Sequence, residues 1–159
     1  MASSLDLLLV NVGSAKKKVY QDLSKSYSAI EPPFWAALTA GFLRDQNYNV
    51  DILDANAENL THEETSREIE KLNPRITNIV VYGQQPAAST QLIGSVSKLI
   101  DVVKDKNPQR KIILSGLHPS ALPFKTISEE NCDLVAEGEG FLTLQGLLNN
   151  SPHDTIPGL

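Results

Sequence analysis

Five short apolar runs punctuate the chain, with amphipathic stretches between them. The runs are Leu5 to Val12, Val50 to Leu53, Ile76 to Tyr82, Lys111 to Leu114 and Asp133 to Ala136. Several are nearly continuous Leu, Ile and Val, without the polar alternation of a half-exposed strand. Such runs suit strands covered on both faces.

The stretches between them carry helical spacing. Pro33 to Gln46 opens on a proline, which a first turn tolerates, and sets Trp35, Leu38 and Phe42 on one stripe. Thr61-His62-Glu63-Glu64 fits a capping box and predicts a helix to about Leu72, ended by Asn73-Pro74. Ser89 to Lys106 places Leu92, Val96, Leu99 and Val103 on one face and stops at Asn107-Pro108. Pro119 to Glu129 predicts a weaker helix, and Phe141, Leu144 and Leu148 mark the last one. Strands alternating with helices predict an α/β fold of repeated βαβ units with right-handed crossovers. Five such strands fit a doubly wound parallel sheet, Rossmann/flavodoxin-like, of order 2-1-3-4-5. Ser14 to Glu31 reads as a long polar loop, a kind that is usually functional or mobile. Residues 1–148 then form one domain, and Asn149 to Leu159, with Pro152 and Pro157, reads as a linker or tail.

Composition changes this picture little. The 159 residues are 41% hydrophobic and 21% charged, as in ordinary globular protein. A net charge of −5 argues against nucleic acid as the main partner, because phosphate binding needs a basic footprint. Lys16-Lys17-Lys18 reads as a solvated cluster. Cys132 is the single cysteine, so neither an internal disulfide nor a cysteine-ligated iron–sulfur site can form. The first apolar run is too short for a signal peptide, and no run approaches a membrane span, which predicts a cytoplasmic chain without a membrane partner.

In open parallel sheets, ligands lie beyond the carboxyl ends of the strands. Asn11-Val12-Gly13-Ser14 follows the first strand, and Asp54-Ala55-Asn56-Ala57 the second. "YGQQPAAST", holding Gln84, Gln85 and Ser89, follows the third. "SGLHPSALP", holding Ser115, Gly116, His118 and Pro119, follows the fourth. "EGEGF", holding Glu137, Gly138, Glu139 and Gly140, follows the fifth. Glycine in four of the five segments lets backbone approach a ligand, although such turns favour small residues in any case.

Specific chemistries fail one by one. There is no GxGxxG, Walker A lysine, GxSxG or phosphoacceptor aspartate after the third strand. His62, His118 and His153 have no metal-site spacing. Glu137 and Glu139 flank a glycine, and such a turn points two carboxylates apart rather than onto one substrate. What remains is a binding crevice without a catalyst.

The series "EPPFWAALTAGFLRDQNYNVDILDANAENLTHEE", "NPRITNIVVYG", "SGLHPSALP" and "DLVAEGEGFLTLQGLL" resembles the N-terminal cobalamin-binding domain of cobalamin-dependent radical S-adenosylmethionine enzymes. The resemblance spans roughly residues 31 to 148 and rests mainly on the fourth-strand and fifth-strand motifs together. It implies a corrin plate over the strand ends and a nucleotide tail threading into the domain. Asn11, Gln84, Gln85, Ser89, Ser115, Gly116, His118, Pro119, Glu137, Gly138, Glu139 and Gly140 are then the candidate cofactor-binding residues. His118 would touch cobalamin amides or fix its turn, and the backbone N–H groups of Gly138 to Gly140 would face the tail. Gln84 and Gln85 would lie under the corrin.

This sequence departs from the expected patterns in four respects. Ser115-Gly116 stands where Gly-Gly is usual, and Phe141 where the fifth-strand turn usually ends in glutamate. The lower-axial histidine motif DxHxxG of many cobalamin carriers is replaced by "NVGSAKKKVYQ", which implies cobalamin held without a protein histidine on cobalt. The CxxxCxxC of a radical core is missing too. The iron–sulfur cluster and S-adenosylmethionine would then belong to a separate radical domain of a parent methyltransferase. Two rival readings are a degenerate domain that docks a partner or recognises a substrate, and a self-contained flavodoxin-like enzyme.

Overall fold

A computed structural model describes residues 4–12, 31–82 and 86–159. Gly13, Gly83, Gln84, Gln85, the lysine cluster and nearly all of the expected Ser14–Glu31 loop lie outside the described residues.

The chain order is β1 (Leu7–Asn11), α1 (Phe34–Asp45), β2 (Val50–Asp54), α2 (His62–Leu72), β3 (Ile76–Val81) and α3 (Pro86–Lys106). It continues with β4 (Ile112–Gly116), α4 (Leu117–Ala121), α5 (Pro123–Glu129), β5 (Leu134–Ala136), α6 (Phe141–Leu148) and a 3-10 turn, His153–Thr155. All four strand pairings are parallel and the order is β2-β1-β3-β4-β5, as expected from the sequence.

Alternation along the strands builds two cores. Leu7, Leu9, Val80 and Ile113 face α1 and α6, where Ala40, Leu43, Leu144 and Leu147 meet them. Leu8, Val10, Ile79 and Leu114 face α2 and α3, through Ile69, Val96, Leu99 and Ile100. Every residue of β3 and β4 is buried, which explains their unbroken apolar reading.

Local signals fix the helix ends. Thr61 Oγ1 accepts the Glu64 N–H at 3.2 Å while Glu64 Oε2 accepts the Thr61 N–H at 2.9 Å, completing the expected capping box. The expected Pro119–Glu129 helix is instead two, broken at Leu122. Proline disfavours helical geometry in the residue before it, and Leu122 is pushed to φ −136° and ψ 55°. Pro123 then opens α5, where its missing N–H costs nothing. In the same way α3 begins at Pro86, three residues before the expected Ser89.

Residues 149–159, expected to lead away as a linker, lie against the domain here. Ile156 is buried, and Gly146 leaves room for it: a β-carbon there would stand 3.0 Å from Ile156 Cγ1. Thr143 Oγ1 donates to the Pro157 carbonyl at 2.6 Å, and the Glu137 N–H to the Gly158 carbonyl at 2.8 Å. Together with the Ser151 N–H donating to the Gly146 carbonyl at 3.0 Å, and with Tyr48 and Arg75 donating to the side chains of Asn149 and Asn150, these contacts seat the segment beside α6.

Candidate functional site

Because every strand is parallel, Asn11, Asp54, Tyr82, Gly116 and Glu137 come out at one edge of the sheet. The candidate residues can therefore be followed from strand to strand.

Asn11 ends β1 and turns sideways. Its Nδ2 donates to Asp54 Oδ1 at 2.8 Å, and that oxygen also accepts the Ala57 N–H at 3.1 Å. Its amide thus ties the turn after β2 to β1. On β3 the edge is marked by Tyr82, half-buried, whose ring stacks on Trp35 of α1 at 4.6 Å between centroids. Burial first, and then the nearby Glu139 carboxylate, push the Tyr82 phenol above its ordinary value of 10.0, so it is a neutral hydroxyl. Ser89 lies fully buried in the first turn of α3.

Gly116 and Ser115 end β4. Gly116 takes φ 128°, and a β-carbon there would overlap the Val81 carbonyl. Its need for glycine is therefore met within the sheet, by the backbone of β3. Ser115 is buried, and its Oγ accepts from Asn78 Nδ2 at 2.9 Å. Asn78 sits in the middle of β3, fully buried, on the face toward α1 and α6. Its Oδ1 has no hydrogen-bond partner among the described residues. An unpaired buried carbonyl of this kind costs about 1–3 kcal/mol. The cost marks a place where a polar partner would be accepted.

His118, half-buried in α4, sets Nδ1 3.1 Å from Thr90 Oγ1 and so joins the turn after β4 to α3. Pro119, next in the same helix, is buried. Ser120 Oγ donates to the Gly138 carbonyl at 3.0 Å, which ties the same turn to the one after β5. In that last turn Glu137, Gly138 and Glu139 are exposed. Gly138 and Gly140 both take left-handed φ, of 70° and 77°. A β-carbon added to Gly138 would meet nothing within 4 Å, whereas one on Gly140 would stand 3.5 Å from both Ser115 Cβ and Ala136 Cβ.

The structure thus brings Gly140 beside Ser115 and ties the turn holding His118 to Gly138 through Ser120, with Asn11 held apart at β2. Sequence reading missed Trp35 at this edge and Asn78 beneath it, and did not single out Tyr82 and Thr90 within "YGQQPAAST". Asn78 carried a signal, being the one amide in the apolar run "ITNIVV". Among the described residues no group of three or more His, Cys, Asp or Glu could hold a metal ion. Among the described residues no helix is long and apolar enough to cross a membrane. A separate concavity at the opposite edge is lined by Arg44, Tyr48, Asn49 and Asp51. Arg44 is already engaged there, donating to the Val50 carbonyl and pairing with Asp51. Among the described residues, the strand-end edge offers donors, acceptors and small residues suited to binding.

Comparison with known proteins places the chain in a family. The family model for the B12 binding domain matches residues 21–148. A Pyrococcus horikoshii protein named as an uncharacterized methyltransferase is 29% identical over 119 residues, which is 74% of this chain and 24% of that protein. Among solved structures, the radical S-adenosylmethionine methyltransferase TsrM from Kitasatospora setae, with tryptophan and an S-adenosylmethionine analogue bound, superposes with a TM-score of 0.71 at 16% identity. That match covers 98% of this chain and 28% of TsrM. TsrM with cobalamin and a 4Fe-4S cluster gives 0.69 at 17%, covering 98% and 27%. OxsB, a cobalamin-dependent S-adenosylmethionine radical enzyme with aqua-cobalamin and S-adenosylmethionine bound, gives 0.65 at 18%, covering 96% and 20%. These structural likenesses show the shared fold. The chain spans about a quarter of the relatives it matches.

Proposed function

Because this chain belongs to the B12-binding domain family, we propose that it holds cobalamin over the C-terminal edge of its sheet, as the cofactor module of a radical S-adenosylmethionine methyltransferase. When bound, cobalamin supplies a cobalt centre able to carry a methyl group. The cluster and S-adenosylmethionine would sit in another domain of the parent, since this chain has one cysteine.

The observation that carries the reading is the fit between the edge and a large, amide-rich ligand. The Gly138 turn opens onto free space, and Ser115 with Asn78 leaves polar capacity beneath Gly140. Residues 137–140 and 115–119 would hold the nucleotide side, with Tyr82 and Trp35 as an apolar wall. Gln84 and Gln85 would lie on the corrin side. Residues 149–159 would run toward the radical domain.

Cobalt would carry no protein histidine. His118 Nδ1 is engaged with Thr90, and His62 Nε2 lies 2.9 Å from Ser95 Oγ between α2 and α3. The segment after β1 has no histidine. The test is to incubate the purified chain with hydroxocobalamin, desalt it, and record the visible spectrum. A corrin spectrum retained near stoichiometry is expected. Its cobalt(II) form should show no protein nitrogen coupling in electron paramagnetic resonance. A colourless protein overturns the reading, and a nitrogen coupling removed by His118→Ala overturns the histidine-free part.

A further inference from the structure

Asn78 is the residue on this edge with the least local explanation. A carboxamide in the middle of a fully buried strand is rare unless both of its ends are paired. Here one end is paired and the other is not. Its amide N–H₂ donates to Ser115 Oγ at 2.9 Å, which leaves the Ser115 hydroxyl proton free to donate elsewhere. Asn78 Oδ1 remains an acceptor without a partner among the described residues. Turning the amide by half a turn exchanges the roles without changing the sum, since Ser115 would then donate to Asn78 Oδ1, leaving a serine lone pair as the acceptor and the Asn78 N–H₂ as the donor. Either way, two neighbouring buried side chains leave one donor and one acceptor side by side.

Both lie on the face toward α1 and α6, under the turn after β5. A β-carbon on Gly140 would sit 3.5 Å from Ser115 Cβ, so this turn roofs the Ser115 end of the pair. Its Gly138 and Gly140 take left-handed φ, and Gly138 is exposed with open space beside it. Entry of a ligand group would require this turn to move aside.

We propose that Asn78 and Ser115 form a specificity pocket for the lower base of the bound corrinoid, one that favours a base whose edge presents an acceptor nitrogen beside an N–H donor, as an aminopurine does. The inference rests on the cobalamin-type reading above. A dimethylbenzimidazole edge answers only the donor, because its remaining substituents are methyl groups. A cresol base answers neither, because it has no ring nitrogen. Sites built to hydrogen-bond a ligand group reject analogues lacking it, since the buried partners are then left unpaired.

The test measures equilibrium binding of four corrinoids to the purified chain by calorimetry. They are adeninyl cobamide, cobalamin, cresolyl cobamide and cobinamide, which has no base. The adeninyl form is expected to bind about tenfold or more tighter than cobalamin, and the cresolyl form weakest of the three with a base. Asn78→Leu, near in volume, should bring the adeninyl-to-cobalamin ratio to about one. Ser115→Ala, a milder change that keeps the fold if Asn78→Leu does not, should shrink it as well. Equal or tighter binding of cobalamin by the unaltered chain overturns the proposal, as does a ratio unchanged in both variants. Binding of cobinamide without base preference sinks this inference alone. Failure of all four corrinoids to bind sinks the cobalamin reading and the pocket with it.

Discussion

Gly116 lies so close to Val81 that any β-carbon at residue 116 would run into the Val81 carbonyl. The two residues are register partners on β4 and β3, and Gly116 adds a φ of 128° that other residues rarely adopt. Gly116→Ala should therefore cost about 3 kcal/mol or more in a urea titration, through both backbone strain and overlap. Gly138→Ala is the useful contrast. It has a left-handed φ but open space, so about 1 kcal/mol is expected and the fold should survive. Equal costs at the two positions would contradict this account. Only Gly138 is then a clean probe of ligand contact.

At the far edge of the sheet, Arg110 grips both carboxylate oxygens of Glu70 at 3.0 and 3.1 Å and also donates to the Pro74 carbonyl at 2.7 Å. Arg110 is buried, whereas Glu70 is partly exposed. Arg110→Ala should cost about 3 kcal/mol, the low end for breaking such a pair.

The same pair sets an acid response. The Arg110 hydrogen bond holds the Glu70 carboxyl below its ordinary 4.5, against the opposing effect of burial. A carboxylate whose folded value is depressed contributes stability above its unfolded value, and that stability is lost as pH falls through the folded value. The chain should lose stability below about pH 4.5, and Glu70→Gln should lose less over that range. Identical acid profiles for the two proteins would rule this out.

Ile156 carries much of the attachment of residues 149–159. Truncation to alanine empties the space beside Gly146 and should lower stability by about 2–3 kcal/mol, read as a drop in Tm. An unchanged Tm would mean that the segment is not seated in solution.

Cys132 should be a poor nucleophile. Burial pushes its thiol from 9.0 up to about 11, so near pH 8 it holds about a hundredfold less thiolate than an ordinary cysteine. Alkylation by iodoacetamide should be correspondingly slow, and should speed up on unfolding. Fast labelling of the folded chain would count against this placement.

Much of the fold was legible because the sheet is parallel and covered on both sides. A strand such as "ITNIVV" needs apolar residues at nearly every position, and that pattern shows in the sequence without any partner. The Thr61–Glu64 box was legible for the same reason, since both halves lie within one turn. The break at Leu122 is signalled by Pro123, but the apolar spacing from Pro119 to Glu129 runs across it. Ile156 was hidden because its cavity belongs to Gly146, ten residues away in another element. At the site, the strand-end rule located the edge, and the glycines pointed to its turns. The individual contacts depend on register and could not be seen. Asn78 reaches Ser115 only because β3 and β4 align, and His118 reaches Thr90 only because α4 lies against α3.

The chain's sole tryptophan is Trp35, and its indole lies against Tyr82 at the rim of the candidate site. All indole emission from the protein therefore originates beside that rim. A corrinoid absorbs strongly across the ultraviolet and visible, so its arrival would darken this single emitter, while events at the distant Arg110 edge would leave it bright. The molecule carries its own occupancy gauge, readable at micromolar concentration without label or separation.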